Sequence, residues 1–415
     1  MTLDERAYDE QRLEQRLRQL GQRGTSRRAV LRGAAVAGGG TALALAVPRL
    51  SQAADPIVVT ECNGIVKPTP PELFRTIGTN REMLWEAMAG QGYLTPTDRF
   101  FVRNHTCTPL IDARAWRLRI EGSGVERPLN VSYNEIVNAP DADKATVVKA
   151  VECAGNGRSF FGTQQGTPAS GSQWRLGAVG VAAWTGVRLS AVMRRARVKP
   201  TAVDVMPEGL DDPVTDQGHV RRPLPVAKAL HPDTLLVYQM NGRPLPPDHG
   251  FPVRLLVPGW VGISSIKWVG RIEVSDQPLF SPWNTTSYRL FGDAYPDSPL
   301  VTEQVVKSAL ELPFPATLPA GEQTLTGRSW SGTGTISAVD VSVDGGVTWA
   351  PAKLNLINLA QAWVRWSFPW SPTPGQYVVK VRARDSKGRV QPATVPFNTQ
   401  GYLFWAVVDH PVTVQ

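Results

Sequence analysis

The chain has 415 residues, of which 42% are hydrophobic and 19% charged, enough for two domains and too apolar for extended disorder. Half of its net charge of +8 sits in residues 1–53, where nine Arg face five acidic residues, and no Lys/Arg run with interleaved aromatics follows; this argues against a nucleic-acid partner. Pro (35) and Gly (37) are frequent but aperiodic, so they mark many turns and not a collagen-like or linker sequence.

Residues 1–24 form a charged, Leu-containing segment compatible with a short helix. Ser26-Arg27-Arg28-Ala29-Val30-Leu31-Arg32 follows, then the weakly apolar 33–47 and small residues at Ser51-Gln52-Ala53. An Arg pair before a short apolar stretch and a cleavage site looks like a twin-arginine export signal over 1–53. The stretch is short of the roughly 20 residues that a membrane span needs. The expected location is therefore the periplasm or another extracytoplasmic space. Cys62, Cys107 and Cys153 match no zinc spacing and no Cys-x-x-Cys pair. A Cys62–Cys107 disulfide suits an exported chain and leaves Cys153 free. There is no Cys-x-x-Cys-His for covalent haem.

Residues 54–295 mix strands with short helices. Pro68-Thr69-Pro70-Pro71 is a loop, and Met83, Leu84 and Met88 give 81–90 helical spacing ending at Gly90. Phe100-Phe101-Val102 and the alternating Trp116–Ile120 read as strands. So does the β-branched run Val147–Val151, which leads into Glu152-Cys153-Ala154-Gly155-Asn156-Gly157-Arg158. Residues 187–197 form an amphipathic helix, with Val187, Leu189, Val192 and Met193 apolar. Leu235–Met240 is a buried strand ending in an Asn241-Gly242 turn, and 253–259 and 266–274 are further strands. The irregular order of strands and helices predicts an α+β domain with a mixed sheet.

From 296 to 415 helical periodicity disappears. Val339, Val341 and Val343 alternate with polar residues before Asp344-Gly345-Gly346. Val364, Trp366, Phe368 and Trp370 line one face of another strand, and Val379, Val381 and Ala383 alternate with cations. Strands at this spacing predict an all-β immunoglobulin-like sandwich.

Taken alone, Cys153 reads as a buried cysteine ending a core strand. A strand followed by a Gly-rich turn, however, also presents reactive groups, and a thiolate is a soft metal ligand. Phe101-Val102-Arg103-Asn104-His105, Pro246–Arg254 and Ser264-Ser265-Ile266-Lys267-Trp268 add cation-bearing turns to otherwise apolar strands. Together these turns suit a sizeable anionic ligand.

These segments, with Trp184–Leu189, Glu208-Gly209-Leu210-Asp211, Met240–Pro246 and Lys267–Arg271, resemble the sulfite oxidase family of molybdenum enzymes. Val341–Trp349 resembles that family's dimerisation domain. The resemblance implies a molybdopterin cofactor with Cys153 as the molybdenum ligand. It implies that Phe101, Val102, Arg103, Asn104, His105, Asp211, His249, Arg254, Ser265, Ile266 and Lys267 hold the pterin and its phosphate. It further implies that Arg103, Arg158, Trp174 and Tyr288 surround a small oxyanion substrate. The expected reaction is oxidation of sulfite to sulfate, with electrons passed to an external acceptor such as a cytochrome c, in a homodimer.

Two positions depart from the family's pattern. Gln400, in Phe397-Asn398-Thr399-Gln400-Gly401, stands where vertebrate members carry an arginine, and Ser170 lies near the place of a pocket lysine. Fewer cations leave open oxo transfer on another small S- or N-oxide. From a different class, Cys153 with His105 or His249 would make a thiol hydrolase, which requires hydrogen-bond contact between thiol and imidazole. A third option is a non-catalytic anion-binding protein that uses the sandwich for partners.

Overall fold

The computed structural model describes residues 64–214 and 217–415, together with the short strand Val58–Val59. The export signal read at 1–53, and Cys62, lie outside the described residues. No helix among the described residues is long and apolar enough to cross a membrane.

The first part of the chain is built on two five-stranded sheets. One runs in the order Leu224–Pro225, Asp204–Gly209, Val269–Ser275, Arg117–Glu121, Leu129–Ser132. Its neighbours are antiparallel except Val269–Ser275 against Arg117–Glu121, so the sheet is mixed, as expected. The other centres on Leu235–Met240, which pairs with Val179–Arg188 and with Arg254–Leu256. Lys144–Glu152 in turn pairs along its full length with Val179–Arg188, from Lys144 opposite Val187 to Glu152 opposite Val179. Long registered pairing on its neighbour gives the Lys144–Glu152 strand a fixed end, and Cys153 emerges from that end.

The helix expected near 187–197 spans Leu189–Ala196, burying Leu189, Ala191, Val192, Met193 and Ala196. Val187 belongs to the preceding strand. The helix expected over 81–90 does not form. Asn80–Met83 instead pairs with Phe74–Ile77 as a hairpin, Arg81 bridges Val102 through both backbone groups, and only Glu86–Met88 turns as a 3-10 helix. Tertiary pairing thus overrode a short helical spacing. Phe100–Val102 contributes only that isolated bridge at Val102.

The C-terminal part is an all-β sandwich. One sheet runs Lys307–Leu310, Gln323–Trp330, Trp363–Trp370, Lys353–Asn358. The other runs Ala316–Leu318, His410–Val414, Gly375–Asp385, Ile336–Ser342, Ala350–Pro351. Between them pack Val339, Val341, Val364, Trp366, Val379, Val381 and Ala383. A second core joins sandwich to sheets: Trp85 stacks on Trp330 at 5.8 Å, and Trp363 Nε1 donates to Tyr93 O at 2.8 Å. The sandwich is therefore cemented to the sheets that carry the Cys153 loop.

Candidate active site

Cys153 leaves its strand with its N–H still donating to Ala178 O at 2.9 Å, and Asn156 N closes the turn on Cys153 O at 2.9 Å. Cys153 is a free thiol and half-buried, whereas Cys107 is disulfide-bonded, in keeping with the expected partition of cysteines. It lines a cavity together with residues from several remote segments. Phe101, Arg103, His105 and Tyr288 share that wall with it. So do His249, Arg254, Ser265, Ile266 and Lys267. Residues far apart in sequence meet here: Cys153 follows the Lys144–Glu152 strand, Arg254 begins a strand paired with Leu235–Met240, and Ser265–Lys267 lead into Val269–Ser275 of the other sheet.

The cavity is strongly biased toward anions. Its one carboxylate, Asp248, is fully buried and already occupied: it accepts from Val66 N (3.0 Å), Lys67 N (2.7 Å) and Thr108 Oγ1 (2.5 Å). Burial, with Arg103 and Lys267 nearby, pushes His105 well below the usual imidazole range. Burial also holds His249 well below it, helped by Lys67, Lys267 and Arg254. Lys267 is likewise driven well below an ordinary ammonium by burial and by Arg254 and Arg103, against the opposing pull of Asp248 and Asp211. Crowded cations that depress one another are relieved when a polyanion binds between them.

Arg254 makes the same point geometrically. It is buried, donates to His249 O (3.2 Å) and Ser265 O (3.1 Å), and its Nε finds no acceptor among the described residues. Burial lowers its pKa to about 10. Gly250 makes this cluster feasible: its φ is +106°, and a Cβ there would lie 2.9 Å from Arg254 Cβ and 3.2 Å from Lys267 Cβ.

Five expected site residues stand behind the wall, not on it. Val102 holds the bridge to Arg81. Asn104 accepts from Lys267 Nζ and donates to Thr108 Oγ1, orienting both. Asp211 is buried outside the lining, with its pKa raised by burial to about 6. Trp174, also fully buried, packs edge-on against Phe101 at 6.3 Å, with its indole N–H unpartnered among the described residues. Arg158 spends its guanidinium on the main chain, with Nε donating to Gln400 O and Nη1 to Ser172 O, each at 2.8 Å.

Cys153 makes no side-chain hydrogen bond to His105 or His249 among the described residues. The His249 ring instead meets Lys67 Nζ at 3.3 Å and Phe100 edge-on at 5.3 Å. The thiol–imidazole contact that a hydrolase requires is thus missing. Nor does any group of three or more His, Cys, Asp or Glu among the described residues form a metal cage. One thiolate beside an anion cradle fits a metal that arrives on an anionic cofactor.

Sequence reasoning missed several contributors. Lys67 lies in a Pro-rich loop with no motif signal, yet burial brings its pKa to about 7 beside His249. Tyr402 and Arg222 flank Tyr288 from remote segments. Asp248 lies within Pro246–Arg254, where no local signal marks it as the acceptor for Val66, Lys67 and Thr108.

Residues 105–283 match the oxidoreductase molybdopterin binding domain family, and residues 305–410 the Mo-co oxidoreductase dimerisation domain family. The chain is 36% identical to the mitochondrial sulfite oxidase of Homo sapiens over 334 residues, covering 75% of this chain and 60% of that protein. It thus spans about 60% of the length of its mammalian relatives. Against the sulfite oxidase of Gallus gallus the identity is 36% over 339 residues, 76% of this chain and 72% of that one. A nitrate reductase [NADH] of Ulva prolifera is 30% identical over 377 residues, 80% of this chain and 42% of that one. The crystal structure of the sulfane dehydrogenase SoxCD from Paracoccus pantotrophus aligns with a TM-score of 0.70 at 27% identity, covering 84% of this chain and 90% of that one. The cofactor that these matches imply is molybdenum on molybdopterin, for which the anion cradle and the free Cys153 thiol are suited. With both domains of the family present and in order, the chain belongs to the sulfite oxidase family of molybdopterin-dependent oxidoreductases.

Proposed function

We propose that the protein oxidises sulfite to sulfate. The observation that carries this reading is the free Cys153 thiol placed on one cavity with Arg103, Tyr288 and the Arg254–Lys267 cation cluster. Arg254, Lys267, His249 and His105 hold the pterin phosphate, Cys153 ligates molybdenum, and Arg103 and Tyr288 face the substrate. When bound, the cofactor supplies two-electron oxo-transfer chemistry. The balance is sulfite plus water to sulfate plus two protons and two electrons.

The chain's own groups supply position and charge. Arg103 Nη1 is held by Asn104 O and lies 3.5 Å from Asn80 Oδ1, so its guanidinium is fixed before an anion arrives. Burial raises the Tyr288 phenol well above its usual range, so it stays protonated and serves as a hydrogen-bond donor to an oxyanion.

The two electrons leave to an external acceptor such as a cytochrome c. The chain acts after export, as a homodimer joined through the sandwich. In support of the dimer, the edge strand Lys353–Asn358 leaves Leu356 and Ile357 exposed, and Leu359 beside it. Such an apolar edge favours covering by a second copy.

A second reading is oxidation of a less charged sulfur compound, as with the sulfane that the SoxCD relative dehydrogenates. Gln400 and the engaged Arg158 favour it, since they leave Arg103 as the substrate-side cation on the cavity wall. Steady-state reduction of ferricyanide or cytochrome c decides between the two. Sulfite-dependent turnover supports the first reading; turnover with protein-bound or organic sulfane sulfur and none with sulfite overturns it.

A further inference from the structure

We infer that Lys307, contributed by the C-terminal sandwich, is a positioning residue for the Cys153 thiol. Lys307 starts the strand Lys307–Leu310, opposite Trp330 in its sheet, and its side chain crosses into the other domain. Its Nζ donates to Glu152 Oε1 at 2.8 Å and to Asn156 O at 2.6 Å. Asn156 Nδ2 donates to the same Glu152 oxygen at 2.9 Å. Asn156 Oδ1 accepts from Ala178 N, and Ala178 O accepts from Cys153 N, both at 2.9 Å. The ring of bonds therefore closes on both flanks of Cys153, and one ammonium joins the residue before it to the third residue after it.

Lys307, Glu152 and Asn156 are 2%, 2% and 0% exposed, so the pair is dry. A buried ion pair is poor value for stability compared with apolar packing, whereas directional bonds at both ends of a four-residue turn fix its shape. Removing the ammonium leaves Glu152 with a single side-chain donor and frees the Asn156 carbonyl, so the turn gains room to rotate the thiol. The sandwich thereby does more than pair two copies: it sets the direction of the group on which the chemistry depends. This inference rests on Cys153 being the metal ligand, but the geometry of the loop can be tested without the metal.

The test uses the full chain, prepared with and without cofactor, as Lys307→Met and as the double variant Lys307→Met/Glu152→Gln. The double variant removes the stranded carboxylate, so it keeps the protein folded. In cofactor-free protein the rate of Cys153 alkylation by iodoacetamide is read, Cys107 being disulfide-bonded. In loaded protein the thiolate-to-metal charge-transfer absorption is read. A positioning role predicts alkylation faster by about tenfold or more in both variants, the change that 1.4 kcal/mol produces. It also predicts a shifted absorption band in both, even where the thermal midpoint of the double variant equals that of the wild type. Return of the rate and the band to wild-type values along with stability in the double variant would mean that Lys307 is only structural, and the inference would fall. A wild-type protein that loads no molybdenum would sink the metal-ligand reading alone, since the alkylation rates still decide the loop geometry.

Discussion

The ring of Tyr402 lies flat against that of Tyr288, centroids 5.0 Å apart and planes within 9° of parallel. Arg158 sits 5.3 Å from the Tyr402 ring and Arg222 5.5 Å from that of Tyr288. Tyr288 also holds a left-handed φ of +57°, which a Tyr adopts only when its surroundings demand it. The column thus fixes the one phenol on the cavity wall. Tyr402→Ala should lower kcat/KM for sulfite about tenfold, mainly in kcat, because an aromatic pair contributes about 1 kcal/mol beyond its area and orientation is lost as well. Tyr402→Phe keeps the stack and should retain most activity in the same steady-state assay.

Gly401 makes room for the neighbouring arginine. Its φ is +59°, and a Cβ there would fall 2.6 Å from Ala169 Cβ and from Arg158 Cγ. Gly401→Ala should destabilise the fold by about 2 kcal/mol through backbone strain and overpacking. A lower urea midpoint at unchanged slope is the expected result.

Cofactor retention should follow the cation cluster. Lys267→Met removes the Nζ that binds Asn104 and Asp248 O, and a positive charge facing the cavity. Charge-assisted bonds to a phosphate are worth about 1.5–3 kcal/mol each. Pterin and molybdenum content after gel filtration should therefore drop at least about tenfold in occupancy ratio. Ser170→Ala, whose hydroxyl only meets Thr399 O at the surface, should leave that content unchanged.

Asp211 gives a pH dependence with a definite sign. Its carboxyl has an ordinary pKa near 3.8, and burial raises this to about 6 in the fold. Between those values the folded chain holds the proton that the unfolded chain releases. Stability therefore falls as pH rises across this window, and above it the full cost of an ionised buried carboxylate applies. Asp211→Asn should stabilise the cofactor-free protein at pH 7, by at most on the order of 3 kcal/mol. The gain should shrink to nothing near pH 3.5, as seen by urea unfolding at both pH values.

Much of the cavity could be read from the chain because its cations sit in short motifs at strand ends. Arg103 and His105 are two residues apart, Ser265, Ile266 and Lys267 are consecutive, and His249 and Arg254 flank one turn. The alternation of Val379, Val381 and Ala383 likewise announced the sandwich core, and all three are buried. What stayed hidden depends on contacts across the chain. The family resemblance sets Arg158 beside the substrate, but its acceptors are carbonyls of Ser172 and of Gln400, 242 residues away. Lys307 opens a strand of a different domain, and no local pattern ties it to Glu152, 155 positions earlier. Helical spacing over 81–90 lost to the pairing of Arg81 with Val102, a partner that no window of that length contains.

The most direct test of the account is molybdenum content, measured with sulfite-dependent ferricyanide reduction on the same samples of wild-type and Cys153→Ser protein. The account predicts about one molybdenum per chain and turnover in the wild type, as expected for one thiolate site, with turnover abolished by the substitution. Metal-free wild-type protein that oxidises sulfite, or Cys153→Ser protein that turns over as fast as the wild type, would contradict it.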